Sequence, residues 1–163
     1  MATVDKNQAM IDYFLTCTPI LNSILYFNFA NIKDATKQFV TQSNDININT
    51  PYIDGSVKKR YSMTVTSFLS ISNNPIIKVS GYNNENISDM AEVQSLIDWV
   101  AEQNEIKHFP DFGTDIVIEE IRTTTSNPSL DSINATSTPA IARYSFTVQV
   151  DYIDFSHIIW NNS

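Results

Sequence analysis

The chain is poor in the residues on which much recognisable chemistry depends. Of its 163 residues only three are glycine, Gly55, Gly81 and Gly113, and no two are close enough to form a phosphate-cradling loop or a dinucleotide fingerprint. A single cysteine, Cys17, excludes an intrachain disulfide and any CxxC metal or redox motif. With one cysteine a reducing compartment is expected, and the N-terminus shows no apolar signal core. Basic side chains number 10 against 18 acidic ones, giving a formal charge of −8 and a sequence pI near 4.5. Neutralising a phosphate backbone needs clustered Lys and Arg, so affinity for nucleic acid or an anionic membrane surface is not expected. No segment approaches the ~20 apolar residues of a membrane-spanning helix. The run from Pro19 to Phe29 is interrupted by Asn22, Ser23 and Asn28 and reads as core. Asparagine and isoleucine are abundant, at 17 and 21 residues, which fits an AT-rich genome and says nothing about activity.

What the chain does have is two long alternating segments, Val57 to Ile71 and Ala140 to Asp154. In the second, Ala142, Tyr144, Phe146, Val148, Val150 and Tyr152 share one face, while Arg143, Ser145, Thr147, Gln149 and Asp151 share the other. Ordinary strands run about five to six residues. Strands of this length suit a sheet that serves more than one small core, or one that continues into neighbouring subunits.

Around them the periodicity predicts a helix from Asp5 to Thr16, with Asp5 and Gln8 as a capping pair and Met10, Ile11, Phe14 and Leu15 as its apolar stripe. Pro19 limits its continuation. Ile24–Ala30 and Ala35–Thr41 read as a hairpin turning at Asn31–Asp34. Ser43–Asp54 and Ser72–Asn86 read as polar loops. A second helix spans Ile87 to Asn104, capped by Asn86 or Ser88, with Met90, Val93, Leu96, Ile97 and Val100 facing the core. Pro110 ends the segment after it. Asp115–Thr125 is a strand whose Ile116, Ile118 and Ile121 slip phase, the mark of a β-bulge. Ser126–Pro139 reads as a long Ser/Thr/Asn/Pro loop, and Phe155–Ser163 as an apolar tail carrying Ile158, Ile159 and Trp160. Both are expected to become ordered on docking to partners. The expectation is one α+β domain over residues 1–163, a single mixed or antiparallel sheet with two helices packed on one face, in the order α-β-β-β-α-β-β.

The chemical constellations are weak. His108, at a helix C-terminus, reads as a capping or surface cation, and His157 as a surface or interface residue; no nucleophile elbow surrounds any serine. The Asn47–Asp54 loop is rich in side-chain oxygens but lacks the acidic alternation and terminal Glu of a calcium loop. Glu119–Glu120 and Asp151/Asp154 are strand carboxylates; only their separation in space tells a glycosidase-like pair from a solvated face. Lys58-Lys59-Arg60 is the one basic cluster, and in a strand only Lys58 and Arg60 share a face; the readings are ion pairs with acidic neighbours, a nucleic-acid contact, or edge charges that guard against aggregation. Asp111-Phe112-Gly113 matches the kinase DFG letters with nothing else of that signature. The sequons at Asn86, Asn134 and Asn161 matter only in a secretory pathway. No catalytic, cofactor or metal residues are assigned, and the chain is not expected to be an enzyme.

Three stretches carry a resemblance: Met1-Ala-Thr-Val-Asp-Lys-Asn-Gln-Ala-Met-Ile-Asp-Tyr-Phe-Leu, Pro51-Tyr-Ile-Asp-Gly-Ser-Val-Lys-Lys-Arg-Tyr, and Ile97-Asp-Trp-Val-Ala-Glu-Gln-Asn with His108-Phe-Pro-Asp-Phe-Gly. Together the chain resembles a family of small proteins of tailed phages of clostridia and relatives, encoded among the head–tail joining genes and labelled minor capsid or tail terminator proteins. The resemblance implies a tail-terminator-like fold and a virion protein, assembled in the bacterial host cytoplasm, that forms a hexameric ring. Such a ring caps the tail tube, stops its polymerisation and joins it to the head connector. The implied partners are further copies of the chain, the tail tube protein, the connector and, where the tail has one, the sheath, with neither membrane nor specific nucleic-acid binding. The rival readings are another neck or connector adaptor, and a small enzyme with an unrecognised carboxylate site.

Overall fold

The structure is a computed structural model and describes residues 4–21, 24–27, 38–44, 49–71, 85–136, 140–156 and 158. Its elements are α1 (Lys6–Phe14), α2 (Thr18–Leu21), β1 (Ile24–Phe27), β2 (Gln38–Asn44), β3 (Asn49–Pro51), β4 (Val57–Ser70), α3 (Glu85–Glu105), β5 (Ile116–Thr123), β6 (Ser129–Asn134) and β7 (Ile141–Asp154). The class is α+β, and the seven strands form one sheet that is antiparallel except for β1 and β2. The order is richer than expected by the one-turn helix α2 and by the strands β3 and β6.

The two alternating segments become β4 and β7, 14 residues each, paired antiparallel from Val57↔Asp154 to Ser70↔Ile141 without a register break. Their length is used within the chain. On its other edge β4 carries β2 at Ser62–Phe68 and β3 at Val57–Lys59; β7 carries β5 at Val148–Asp154 and β6 at Ile141–Ser145. Each long strand thus holds two short ones end to end. This removes the need to continue the sheet into a neighbour in order to explain the strand length.

Strand alternation divides the residues of β4 and β7 as the sequence implies. Met63, Val65, Leu69, Phe146, Val148, Val150 and Tyr152 face one side, where they pack with Met10, Tyr13 and Phe14 of α1, Val93, Leu96, Ile97 and Val100 of α3, and Ile121 of β5. Both long helices therefore lie on one face. Some stripe residues differ from expectation: Leu15 and Met90 are exposed, and Tyr13 is buried in their stead. A helical stripe wider than about 100° has edges that the core does not reach.

Local chemistry explains the helix ends. The Asp5 carboxylate accepts the Asn7 amide at 2.9 Å and caps α1, while Gln8 turns to Asp12 instead of completing a capping box. Pro19 does not end the helical chain outright; it sits in the first turn of α2, where its missing N–H has no helical partner to lose. α3 begins at Glu85, so Asn86 and Ser88 lie within the helix. At its far end Lys107 adopts φ 57°, its amide reaching the Asn104 carbonyl at 3.4 Å and that of His108 reaching Gln103 at 3.0 Å. This is a Schellman closure on a left-handed residue, with lysine where glycine is usual.

Two expectations are overturned. β1 and β2 do not form a hairpin: Ile24 lies beside Gln38 and Phe27 beside Thr41, a parallel pair whose connection, residues 28–37, includes the expected Asn31–Asp34 turn and lies outside the described residues. Ser126–Pro139 is not a structureless loop, since Ser129–Asn134 is β6, hydrogen-bonded along β7 with a register shift at Asp131. The polar connection 43–54 likewise contains β3. The Ser72–Asn86 connection lies largely outside the described residues, as do His157, Ile159, Trp160 and the sequon at Asn161. The start of the expected docking tail folds onto its own subunit, the Phe155 amide donating to the Asp115 carbonyl at 2.8 Å.

Two substitutions test the backbone assignments. Lys107→Gly relieves a left-handed lysine and should raise stability by about 0.5–1 kcal/mol. Gly55, at φ 86°, is the opposite case, and Gly55→Ala should lower stability by about 1 kcal/mol. Urea unfolding followed by circular dichroism reads both; equal midpoints for wild type and either variant contradict the assigned conformation.

Candidate functional site

The face of the sheet opposite the helices carries the densest chemistry of the described residues. β4 presents Lys58 and Arg60 there, and β7 presents Asp151 and Gln149. The predicted bulge in β5 falls between Ile118 and Glu120, which sets Glu119 and Glu120 against the single residue Asp151. A bulge interrupts strict alternation, and both glutamates reach ion-pair partners on this outer face.

The ion pairs are specific. Arg60 grips Asp151 with two parallel bonds, Nε to Oδ1 at 2.5 Å and Nη2 to Oδ2 at 2.7 Å. Arg122 bonds Glu120, reaches Asp151 Oδ2 at 3.3 Å and donates to Gln149 Oε1 at 3.2 Å. Lys58 meets Glu119 at 2.6 Å. Three cations and three carboxylates thus satisfy one another. The Asp151 carboxyl is held below the usual carboxylate range, chiefly by its bonds to Arg60, which outweigh its partial burial. A carboxylate stabilised as the anion is the opposite of what a general acid near neutral pH requires.

Asp154 belongs to the other face. Strand alternation separates it from Asp151, so the two cannot flank one substrate bond as a carboxylate pair. It is paired with Lys59 at 2.7 Å and accepts the Ser156 amide at 3.0 Å and hydroxyl at 2.6 Å. Burial pushes its carboxyl upward, but the Lys59 and Ser156 bonds prevail and hold it well below the ordinary range. All three residues of the Lys58-Lys59-Arg60 cluster are therefore ion-paired. They are not edge guards, because β4 is flanked on both sides.

The remaining sequence candidates resolve structurally. His108 donates its amide to the α3 closure, accepts the Tyr13 hydroxyl on its carbonyl at 2.9 Å, and places Nδ1 2.5 Å from Gln103 Oε1. Asp111-Phe112-Gly113 is a packing turn: Asp111 accepts the Gly113 amide, and Phe112 meets Tyr61 and Tyr152 edge-on. Gly113, at φ 104°, leaves only 3.2 Å between an added Cβ and Val4. In the Asn47–Asp54 segment, Asn47 lies outside the described residues, Asn49 is in β3, and Asp54 is occupied by Ser56. Among the described residues no group of three His, Cys, Asp or Glu side chains could hold a metal ion. Cys17 is buried, with burial pushing its thiol up to about 12, so it is inert as a nucleophile. Asn134 is exposed at the end of β6.

Sequence reasoning missed Arg122 as the residue that ties Glu120, Asp151 and Gln149 together. The phase slip in β5 was the available signal, since it marks where side chains change face.

One open groove lies on the other side of the molecule, between α1 and residues 108–111. It holds about 450 Å³, with a floor of Ala9, Tyr13, Phe109 and Pro110 and with Asp5, Asp12 and Asp111 on its rim. No helix among the described residues is long and apolar enough to cross a membrane.

No protein-family model matches this chain, and no curated protein matches it.

The acid response follows from Asp154. A carboxyl whose folded value is depressed contributes stability that is complete above its unfolded value, about 3.9, and is lost as pH falls below it. Asp154→Asn should cost about 2 kcal/mol at pH 7. Its deficit relative to wild type should shrink below about pH 4. Denaturant titrations at pH 7 and pH 3 measure this; a deficit independent of pH would remove Asp154 as the titrating group.

Proposed function

We propose that the protein is a structural subunit of a tailed-phage neck. It assembles as a ring, most simply a hexamer, that caps the tail tube, ends its polymerisation and joins it to the head connector. Residues 1–163 act as one tail-terminator-like unit with no catalytic role. The sequence resemblance supplies the class. The observation that carries the reading is the outward sheet face, on which Lys58, Arg60 and Arg122 are each satisfied by Glu119, Glu120 or Asp151. Among the described residues, this face offers no unpaired base or acid for chemistry and no surplus cation for phosphate. It suits a charge-balanced wall past which DNA moves without being held.

The sheet edges bear on how copies would meet. β5 and β6 each carry a register shift, at Glu119 and at Asp131. The Ile121 amide on the outer edge of β5 is taken by Asn104 Oδ1 at 3.0 Å. Bulges and capped amides blunt strand-to-strand addition. Contacts between copies are therefore better sought in faces and turns than in one continuous sheet.

Native mass spectrometry at micromolar concentration, together with images of intact particles, should give a closed ring with a copy number near six. A monomer in both settings contradicts the reading. Double-stranded DNA should bind weakly or not at all at physiological salt; sub-micromolar affinity with a steep salt slope would instead identify a phosphate-contacting surface.

A further inference from the structure

We propose that the acidic residues at the two bulges of the sheet, Glu119 with its neighbour Glu120 and Asp131, mask a phosphate-binding surface built from Lys58, Arg122 and Arg143, and that double-stranded DNA is the ligand they turn away. The inference rests on the reading of the outward sheet face as a wall that DNA passes, and it names the residues that keep the wall from gripping.

Both register shifts of the sheet insert an acidic residue, Glu119 in β5 and Asp131 in β6. Each of these residues meets a cation of the outward face: Glu119 lies 2.6 Å from Lys58 Nζ, and Asp131 lies 3.5 Å from Arg143 Nε. Glu120, beside the first bulge, bonds Arg122. A bulge disrupts the ladder locally and leaves its extra residue unpaired. Ion pairs as exposed as these contribute little to stability in return. What the extra carboxylates change is the charge of the face. Without Glu119, Glu120 and Asp131, the only carboxylate left within reach of Lys58, Arg60, Arg122 and Arg143 in these pairings is Asp151.

The network has two layers. Asp151 keeps only 7% of its side chain exposed and is held by two bonds from Arg60, so that pair is a fixed part of the sheet. Lys58, Arg122 and Arg143 keep between 34% and 48% of theirs. Cations this open need only lose their carboxylates to meet a ligand from solution. Their spacing favours a polyanion over a small free anion. Lys58 lies opposite Ile153 and Arg143 opposite Phe68, so the two are ten residues apart along the β4–β7 ladder, about 33 Å at ~3.3 Å per residue. Arg122, opposite Gln149, falls between them. A single phosphate needs groups that converge on one point. A stripe of this length fits the backbone of a duplex, which carries one negative charge per ~1.7 Å of its axis.

Two triple variants of the full chain with the same net charge provide the test. Glu119→Gln/Glu120→Gln/Asp131→Asn removes the masking carboxylates. Asp98→Asn/Glu102→Gln/Glu105→Gln removes three carboxylates exposed on α3, on the other side of the sheet. Fluorescence anisotropy of a labelled short DNA duplex, over a series of salt concentrations, reads the binding. The masking variant should bind about tenfold or more tightly than wild type at low salt, with a plot of log Kd against log salt steeper by about two to three. The α3 variant should stay at the wild-type level. Adding Lys58→Gln, Arg122→Gln and Arg143→Gln to the masking variant should abolish the gain. The single variants Glu119→Gln, Glu120→Gln and Asp131→Asn should each steepen the slope by about one, and they carry the test where the triple variant does not fold. No gain in the masking variants overturns the proposal. An equal gain in both triple variants also overturns it, because overall charge and not the bulges would then decide. Either result leaves the ring reading standing where native mass spectrometry still gives a ring. Sub-micromolar binding by the wild type overturns both the masking and the wall. A monomer in solution and in the particle overturns the ring, while the comparison of variants still decides the masking.

Discussion

The pairing of β4 with β7 is the constraint on which the rest of the structure depends. Fourteen consecutive residues of each strand meet in one unbroken antiparallel register. That register fixes which side chains enter the helix-covered core and which look outward. It also provides the two outer edges along which β2, β3, β5 and β6 are laid. A slip of one residue would send Met63, Val65, Val148 and Val150 to the outer face and bring Arg60 and Asp151 into the core. Polar contacts reinforce the same register: Arg60 lies directly opposite Asp151, Thr64 opposite Thr147 with their hydroxyls 3.2 Å apart, and Lys59 reaches diagonally to Asp154.

The distribution of charge follows from that frame. The chain is acidic overall, at −8, yet its outward sheet face is balanced, with each cation placed against a carboxylate. The bulge in β5 makes this balance possible, because it brings two consecutive glutamates to one side where regular alternation would bring one. Uncompensated acidity lies elsewhere, notably on the groove rim at Asp5, Asp12 and Asp111. An acidic protein of this kind can stand close to DNA while holding it weakly, and can still present acidic sites to a basic protein surface.

Polar contacts also fix the surface features that flank the β4–β7 frame. Two tyrosines fix the α1 side of the groove to the fold, Tyr61 through Asn7 at 2.6 Å and Tyr13 through the His108 carbonyl at 2.9 Å. The β3–β4 turn is fixed by its own hydrogen bonds. In the proposed ring, rigid surfaces of this kind would limit the rotations at which copies meet, which closure into one ring size requires.

The sequence by itself determined the periodic features. Alternation placed β4 and β7 to within one residue at each end and sorted their faces; the Asp5 cap marked the start of α1, and the phase slip of Ile116, Ile118 and Ile121 located the bulge. Such features are local, since a side chain's face depends on its own position in the strand and a cap on the next few residues. Only the tertiary structure decided which strands are neighbours. The parallel pairing of β1 with β2 could not be told from a hairpin, because short strands look alike whichever way they run. β6 was invisible because all six of its residues are exposed, so no burial period marks it; what makes it a strand is the edge of β7 beside it. The union of Arg60, Arg122, Glu119, Glu120 and Asp151 was equally out of reach. Those residues come from three strands far apart in the chain, and it is the non-local register of β4, β7 and β5 that places them within bonding distance.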